Sequence, residues 1–268
     1  MSHGEEIVEH YESIREEDRI SSGLGRLELV RVQEVLGRHL PPPPAYVLDV
    51  GGATGVHARW LAERGYAVRI VDVAPRHVEV ANRELAALGV VAELGDARRL
   101  HADDDSADVV LLFGPLYHLT ERSERVAALS EAGRVVRAGG IVAVAAISRF
   151  ASLFDGLARG LLFDPDFVPI VERDLAEGQH RNVEGREHRF TTAFFHHPDQ
   201  LREELADGGL SLRELVGLEG LGSWLPQLAE RWEDPDDRDQ ILWAARMIES
   251  EPTLQGLSAH LLAVASGD

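Results

Sequence analysis

The stretch Val47-Leu-Asp-Val-Gly-Gly-Ala-Thr-Gly55 constrains the fold more than any other part of the chain. With Tyr46 in front, its first half is a short apolar run suited to a buried strand. Its second half carries three glycines, and Val56, His57 and Ala58 open a helical pattern behind them. Strand, glycine turn and helix, in that order, build a nucleotide-binding site. Gly51, Gly52 and Gly55 let backbone approach a ligand where a Cβ would block it, and the helix start presents N–H groups without intrahelical partners. A glycine turn can also serve packing alone. Against that stands Asp72, at the end of the next apolar strand (Ala67 to Val71) and about 20 residues past the first glycine, where a carboxylate can accept from both hydroxyls of a ribose.

Beyond the turn the chain alternates. The spacing predicts a helix from Val56 to Glu63, the strand ending at Asp72, a helix over Arg76 to Leu88 after Pro75, and a strand over Val90 to Leu94. Gly95-Asp96-Ala97 and an acidic loop, Asp103 to Asp105, lead to a strand over Asp108 to Phe113. Gly114-Pro-Leu-Tyr-His118 then leads to a helix over Glu121 to Val136 and, through Gly139-Gly140, to a strand over Ile141 to Ile147. Strands alternating with helices of this length imply an α/β fold with a doubly wound, mostly parallel sheet and ligands at the carboxyl ends of its strands.

The order of four features resembles the class I S-adenosylmethionine-dependent methyltransferases. These are Asp49 to Gly55, Asp72 ending the second strand, Gly95-Asp96-Ala97 after the third, and Phe113-Gly-Pro-Leu-Tyr-His118 after the fourth. The likeness covers residues 46 to 148 most strongly and Leu210 to Ala265 more loosely. It implies a Rossmann-like methyltransferase fold and S-adenosylmethionine as cofactor, with S-adenosylhomocysteine as product. By the same likeness Asp49, Gly51, Gly52, Ala53 and Gly55 surround the methionine part, and Asp72 and Val73 meet the ribose. Asp96 and Ala97 meet the adenine, and Phe113 lies beneath the cofactor. Ala53 departs from the family pattern, which often has glycine there, and requires an ordinary negative φ or a strained backbone. Taken singly, Asp49 can brace the turn, Asp72 can cap a helix and Asp96 can be a turn residue. A dinucleotide dehydrogenase would need a third glycine placed for helix packing and a second half-domain for hydride chemistry, and neither is evident.

Composition narrows the chemistry. The formal net charge is −19, and all 27 basic residues are arginine. So much negative charge disfavours nucleic acid as partner. Without lysine there is no Schiff base and no Walker-type phosphate lysine. Without cysteine there is no disulfide, thiolate zinc site or cysteine nucleophile. Twelve histidines show no clear metal spacing, so no metal is expected. No window approaches the roughly 18 apolar residues of a membrane span, and Glu5, Glu6 and Glu9 are unlike a signal peptide. The expectation is a cytoplasmic enzyme, monomer or homodimer, with no membrane partner.

Two regions flank the core. Residues 1–44 are expected to form a helical cap, with helices over Glu5 to Ile20 and Gly23 to Leu40 and a stop at Pro41 to Pro44. Tyr11, His10 and Arg26 are its polar candidates for a site. The methyltransferase domain then runs from 45 to 268, with an insertion at about 148–198 expected to lie over the pocket. An apolar stripe from Phe150 to Phe163 opens that insertion, followed by a hairpin over Gln179 to Phe195 that turns near Glu184-Gly185. Phe150 and Trp224 are candidate substrate contacts beside Tyr11 and Arg26. His118, after the fourth strand, is the candidate general base, with Tyr117 as hydrogen-bonding or aromatic wall. Gly114-Pro-Leu-Tyr117 stands where nucleobase amino-methylases carry Asn-Pro-Pro-Tyr, and no basic RNA-binding module is evident. The expected reaction is methylation of an oxygen or nitrogen of a small-molecule acceptor, with specialised metabolism as one setting. The alternatives are a protein or tRNA methyltransferase and a non-catalytic S-adenosylmethionine sensor.

Overall fold

The computed structural model describes residues 23–181 and 190–267. The predicted helix over Glu5 to Ile20, His10, Tyr11 and the turn near Glu184-Gly185 lie outside them.

Nine strands among the described residues join in one sheet. Strands β1 (Tyr46–Val50), β2 (Ala67–Asp72), β3 (Val91–Leu94), β4 (Ala107–Leu112) and β5 (Val136–Ser148) are parallel in the order β3-β2-β1-β4-β5. The sheet is completed by β9 (His260–Gly267), antiparallel to β5, and by β8 (Leu210–Gly217), antiparallel to β9. Strand order reverses at β1 and β4, where the crossovers leave in opposite directions and open a crevice at the strand ends.

Each face of the sheet buries one apolar layer, because residues two apart along a strand share a face. Val47, Val109, Leu111 and Ala143 pack with Val32, Val35 and Leu36 of α1 (Gly23–His39), with Ala58 and Leu61 of α2 (Val56–Ala62), and with Ala81 and Leu85 of α3 (Pro75–Leu85). Leu48, Val50, Val110, Leu112 and Val144 pack with Leu116 of α4 (Pro115–His118), with Ala128, Leu129 and Ala132 of α5 (Arg122–Val135), and with the later helix at Leu201 and Leu205. The single turn of α4 forms because Pro115 at its first position supplies a helical φ and needs no N–H partner. Strand β5 starts five residues before the expected Ile141, and its pairing with β4 is irregular between Ala107 and Val109.

A further segment follows β5. It holds α6 (Ala151–Ala158), α7 (Val168–Glu177), and the strands β6 (Gln179–His180) and β7 (Ala193–His196), which pair antiparallel. Phe195 and His196 of β7 run parallel to Ile147 and Ser148, on the side of β5 opposite β9, so the hairpin extends the sheet past the end of β4. Helix α8 (Pro198–Asp207) returns the chain to β8; α9 (Leu228–Arg231) and α10 (Pro235–Ile248) lie between β8 and β9. No helix among the described residues is long and apolar enough to cross a membrane.

Candidate functional site

A cavity of about 570 Å³ lies where the strand order reverses. Its floor is the ends of β1 and β2 (Val50, Val71, Asp72) with Phe113 beyond β4 and Ala145 of β5. Glycine-turn residues, α4 and α1 supply the walls.

The turn is held from below. Gly51 N–H donates to Val71 O at 2.7 Å, and Gly55 N–H to Gly52 O at 2.9 Å. A Cβ on Gly51 would come within 2.6 Å of Pro115 Cδ, and one on Gly55 within 2.4 Å of Leu85 Cδ1, so both glycines are required by packing as well as by φ values of +77° and +91°. Ala53 takes the strained option, with φ at +48°. That conformation aims its N–H at Asp72 Oδ2, 2.9 Å away. Ala53→Gly is expected to raise the unfolding free energy by up to about 1 kcal/mol, left-handed strain relieved exceeding the added backbone entropy of the unfolded chain, as urea denaturation would read.

Asp72 is therefore a built carboxylate. Beside the Ala53 donor, its Oδ1 accepts from Ala74 N–H at 2.9 Å and faces His77 Nδ1 at 3.2 Å. Asp49 is the opposite case. It is wholly buried beneath the turn, its two oxygens have no hydrogen-bond partner, and a Cβ on Gly52 would fall 2.7 Å from Oδ2. Burial, with the charge of Asp72 added, pushes its carboxyl up to about 7. On the far side Asp96 is gripped by Arg98, whose Nε and Nη2 reach its oxygens at 2.6–3.1 Å and whose N–H donates to Oδ1 at 2.9 Å. The guanidinium hydrogen bonds hold the Asp96 carboxyl below its usual range.

The cavity wall brings together most of the residues singled out in the sequence: Gly51, Gly52, Ala53, Asp72, Val73, Asp96, Ala97, Phe113, Tyr117 and His118. Val73 presents an apolar side chain 48% exposed there. Asp49 and Gly55 lie under the turn, outside the wall. Arg26 pairs with Glu233, and Phe150 and Trp224 both pack on Phe154, with ring centroids 6.4 and 5.6 Å away, so these three candidates stand apart from the cavity. The described part of the insertion adds no residue to the wall either. It backs the wall instead, with Phe190 stacked on His118 at 6.2 Å and tilted against Tyr117 at 6.4 Å. Sequence reasoning passed over His57, which meets the Phe113 ring edge-on at 5.1 Å, and also His77, Glu28 and His260. His77 is recoverable, since it sits two residues into a Pro-started helix beside Asp72. His260 and Glu28 belong to no local motif.

Residues 47–140 match the family model of the methyltransferase domain. These residues are a methyltransferase domain, and the sheet around them has the fold of S-adenosylmethionine-dependent methyltransferases. Among curated proteins, the chain is 37% identical over 132 residues to a demethylmenaquinone methyltransferase from Beutenbergia cavernae, covering 49% of this chain and 51% of that protein. It is 33% identical over 130 residues to a malonyl-[acyl-carrier protein] O-methyltransferase from Serratia marcescens, covering 48% and 45%. The chain thus spans about half the length of the curated relatives it matches. An S-adenosylmethionine-dependent methyltransferase from Mesorhizobium loti shares the fold at a TM-score of 0.61 and 15% identity, over 89% of this chain and 99% of that one. The residues of the methyltransferase core fit the cofactor on their own chemistry. A buried carboxylate without a partner lies under the turn and suits a cationic ligand, and a preset carboxylate stands at the end of β2.

Proposed function

We propose that the protein transfers a methyl group from S-adenosylmethionine to an oxygen or nitrogen of a small molecule, in specialised metabolism. The supporting observation is the cavity at the reversal of strand order, whose volume suits one cofactor-sized ligand and a small acceptor beside it. The bound cofactor supplies a methyl group already activated by the sulfonium charge, so the protein positions the acceptor and shields it from water. In this reading Gly51, Gly52, Ala53 and Gly55, with Asp49 beneath, surround the methionine part. Asp72 and Val73 take the ribose, Asp96 and Ala97 the adenine, and Phe113 lies below. Tyr117 and His118 orient the acceptor from α4, whose rings pack 4.8 Å apart.

Titration with S-adenosylhomocysteine by calorimetry tests this. Micromolar binding is expected, weakened in Asp72→Asn by about 1–3 kcal/mol for hydrogen bonds lost at a charged group. Asparagine is the gentler probe than alanine, because its single amide oxygen still accepts from one of the Ala53 and Ala74 N–H groups, whereas alanine strands both. A binding-competent protein is then screened for S-adenosylhomocysteine release with quinols, phenols, carboxylic acids and primary amines. Failure of the parent to bind S-adenosylhomocysteine sinks the reading.

A further inference from the structure

The first residue of β9, His260, pairs with Ile147 at the carboxyl end of β5 and lines the cavity. Its partner is Glu219, which follows β8 and is 0% exposed. His260 Nδ1 lies 2.6 Å from Glu219 Oε1, and the His260 backbone N–H donates to Oε2 at 3.1 Å. A carboxylate that accepts at both oxygens requires the Nδ1 proton to be on the ring, which leaves Nε2 as the basic nitrogen. Glu219 is itself fixed: its own N–H and that of Gly220 donate to buried Ser258 Oγ at 3.2 and 2.7 Å. A second carboxylate, Glu28 of α1, also lines the cavity and places Oε2 3.9 Å from the same ring nitrogen. The ring nitrogen thus lies between two carboxylates.

We infer that His260 is the general base of the proposed methyl transfer, with Glu219 positioning its ring and Glu28 stabilising the imidazolium. The inference rests on the methyltransferase reading and deepens it, since a built base implies an acceptor that carries a proton to lose, a hydroxyl or an N–H. As the acceptor atom bonds to the methyl carbon, the carbon–sulfur bond breaks and its electron pair returns to sulfur, giving S-adenosylhomocysteine. The acceptor's proton passes to Nε2 of His260 and then to solvent. This assigns the base to His260 in place of His118, which keeps an orienting role.

The test uses the full chain, labelled with 15N and saturated with S-adenosylhomocysteine, and reads the imidazole tautomers by long-range 1H–15N correlation. His260 signals are assigned by their loss in His260→Gln. The expected result is a protonated Nδ1 and an unprotonated Nε2 at slightly alkaline pH, with the Nε2-protonated share rising in Glu219→Gln. With whichever acceptor the screen finds, His260→Gln is expected to lower kcat by about 100-fold or more. KM and S-adenosylhomocysteine affinity should stay within about threefold, the signature of an interaction made in the transition state. A protonated Nε2 in the parent overturns the inference, as does a tautomer unchanged in Glu219→Gln or a kcat barely changed in His260→Gln. So does coordination of added Zn2+ at Nδ1, since Glu28, Glu219 and His260 offer ligand atoms within 4.8 Å of one another. If S-adenosylhomocysteine binds and the tautomer is wrong, the base assignment alone fails. If it does not bind at all, the methyltransferase reading fails first.

Discussion

Replacing Arg125 by alanine is expected to destabilise the protein by about 3–5 kcal/mol, the cost of leaving a buried charge without its partner. Arg125 and Glu204 are both buried, and the guanidinium donates through Nε and Nη2 to the two carboxylate oxygens at 2.8 and 2.6 Å. Burial alone would raise the Glu204 carboxyl, yet the hydrogen bonds from Arg125 and His196 hold it down to about 2. With Arg125 gone that carboxylate keeps His196 Nε2 at 3.3 Å, on a ring where burial disfavours a charge, and the exposed Arg122, whose Nε stands 4.0 Å from Oε1. The guanidinium also lies 3.5 Å over the Phe194 ring, so the loss includes a cation–π contact. The effect reaches the cavity, because Arg125 Nη1 donates to Leu119 O and Thr120 O at 2.9 and 2.8 Å, and both residues are in the wall. Urea denaturation would read the stability, and calorimetry a parallel loss of S-adenosylhomocysteine affinity. The double variant Arg125→Met/Glu204→Leu should recover most of the stability and little of the affinity, since apolar side chains can replace the buried pair but cannot hold the two carbonyls. A single variant within about 1 kcal/mol of the parent would mean that water reaches Glu204 and the pair is not truly buried.

Legibility in the sequence followed range along the chain. The glycine-turn half of the cavity could be read because strand, turn and helix are continuous there: β1 was expected at Tyr46 to Val50 and is found there, and Asp72 ends β2 as its apolar run implied. Ala53 left two options open, and only tertiary structure could choose, since the +48° φ is stabilised by a hydrogen bond to a residue 19 positions away. The cluster proposed to serve the acceptor was not legible. Glu28, Glu219 and His260 come from the first described helix, the end of β8 and the start of β9, and they meet because β9 enters antiparallel between β5 and β8. Aromatic residues misled for a related reason. Phe150 and Trp224 suited a substrate platform by type, but Trp224 Nε1 donates to Leu257 O at 2.6 Å and Phe150 packs edge-on to His197 at 5.3 Å, away from the wall. An apolar stripe shows that a face is buried, and which partner buries it depends on contacts far along the chain.

Asp49→Asn is expected to stabilise the ligand-free protein while weakening its hold on a cationic ligand. In the folded chain the Asp49 carboxyl stands at about 7 against an ordinary 3.8, raised by burial and then by the Asp72 charge. A raised carboxyl means that the folded state keeps its proton where the unfolded state has lost it. The folded state therefore binds more protons between pH 4 and 7, and stability falls as pH rises through that window. Its full extent, about 4 kcal/mol for some three pH units, is reached above pH 7. Asparagine does not ionise, so the variant should show no such slope. Urea unfolding of the two proteins from pH 4 to pH 8, without ligand, should give curves that begin close together and separate by roughly 3–4 kcal/mol. Parallel curves would show that water or a neighbouring group already satisfies the carboxylate. The same cost reappears as function, because a cation bound in the cavity over the turn stabilises the ionised form beneath it and drives the proton off. S-adenosylmethionine binding near pH 6 should thus release a proton, measurable by calorimetry in buffers of different ionisation enthalpy, and Asp49→Asn should abolish that release. An unpartnered charge beneath the glycine turn makes the empty fold less stable, and that deficit becomes affinity when a positive ligand arrives.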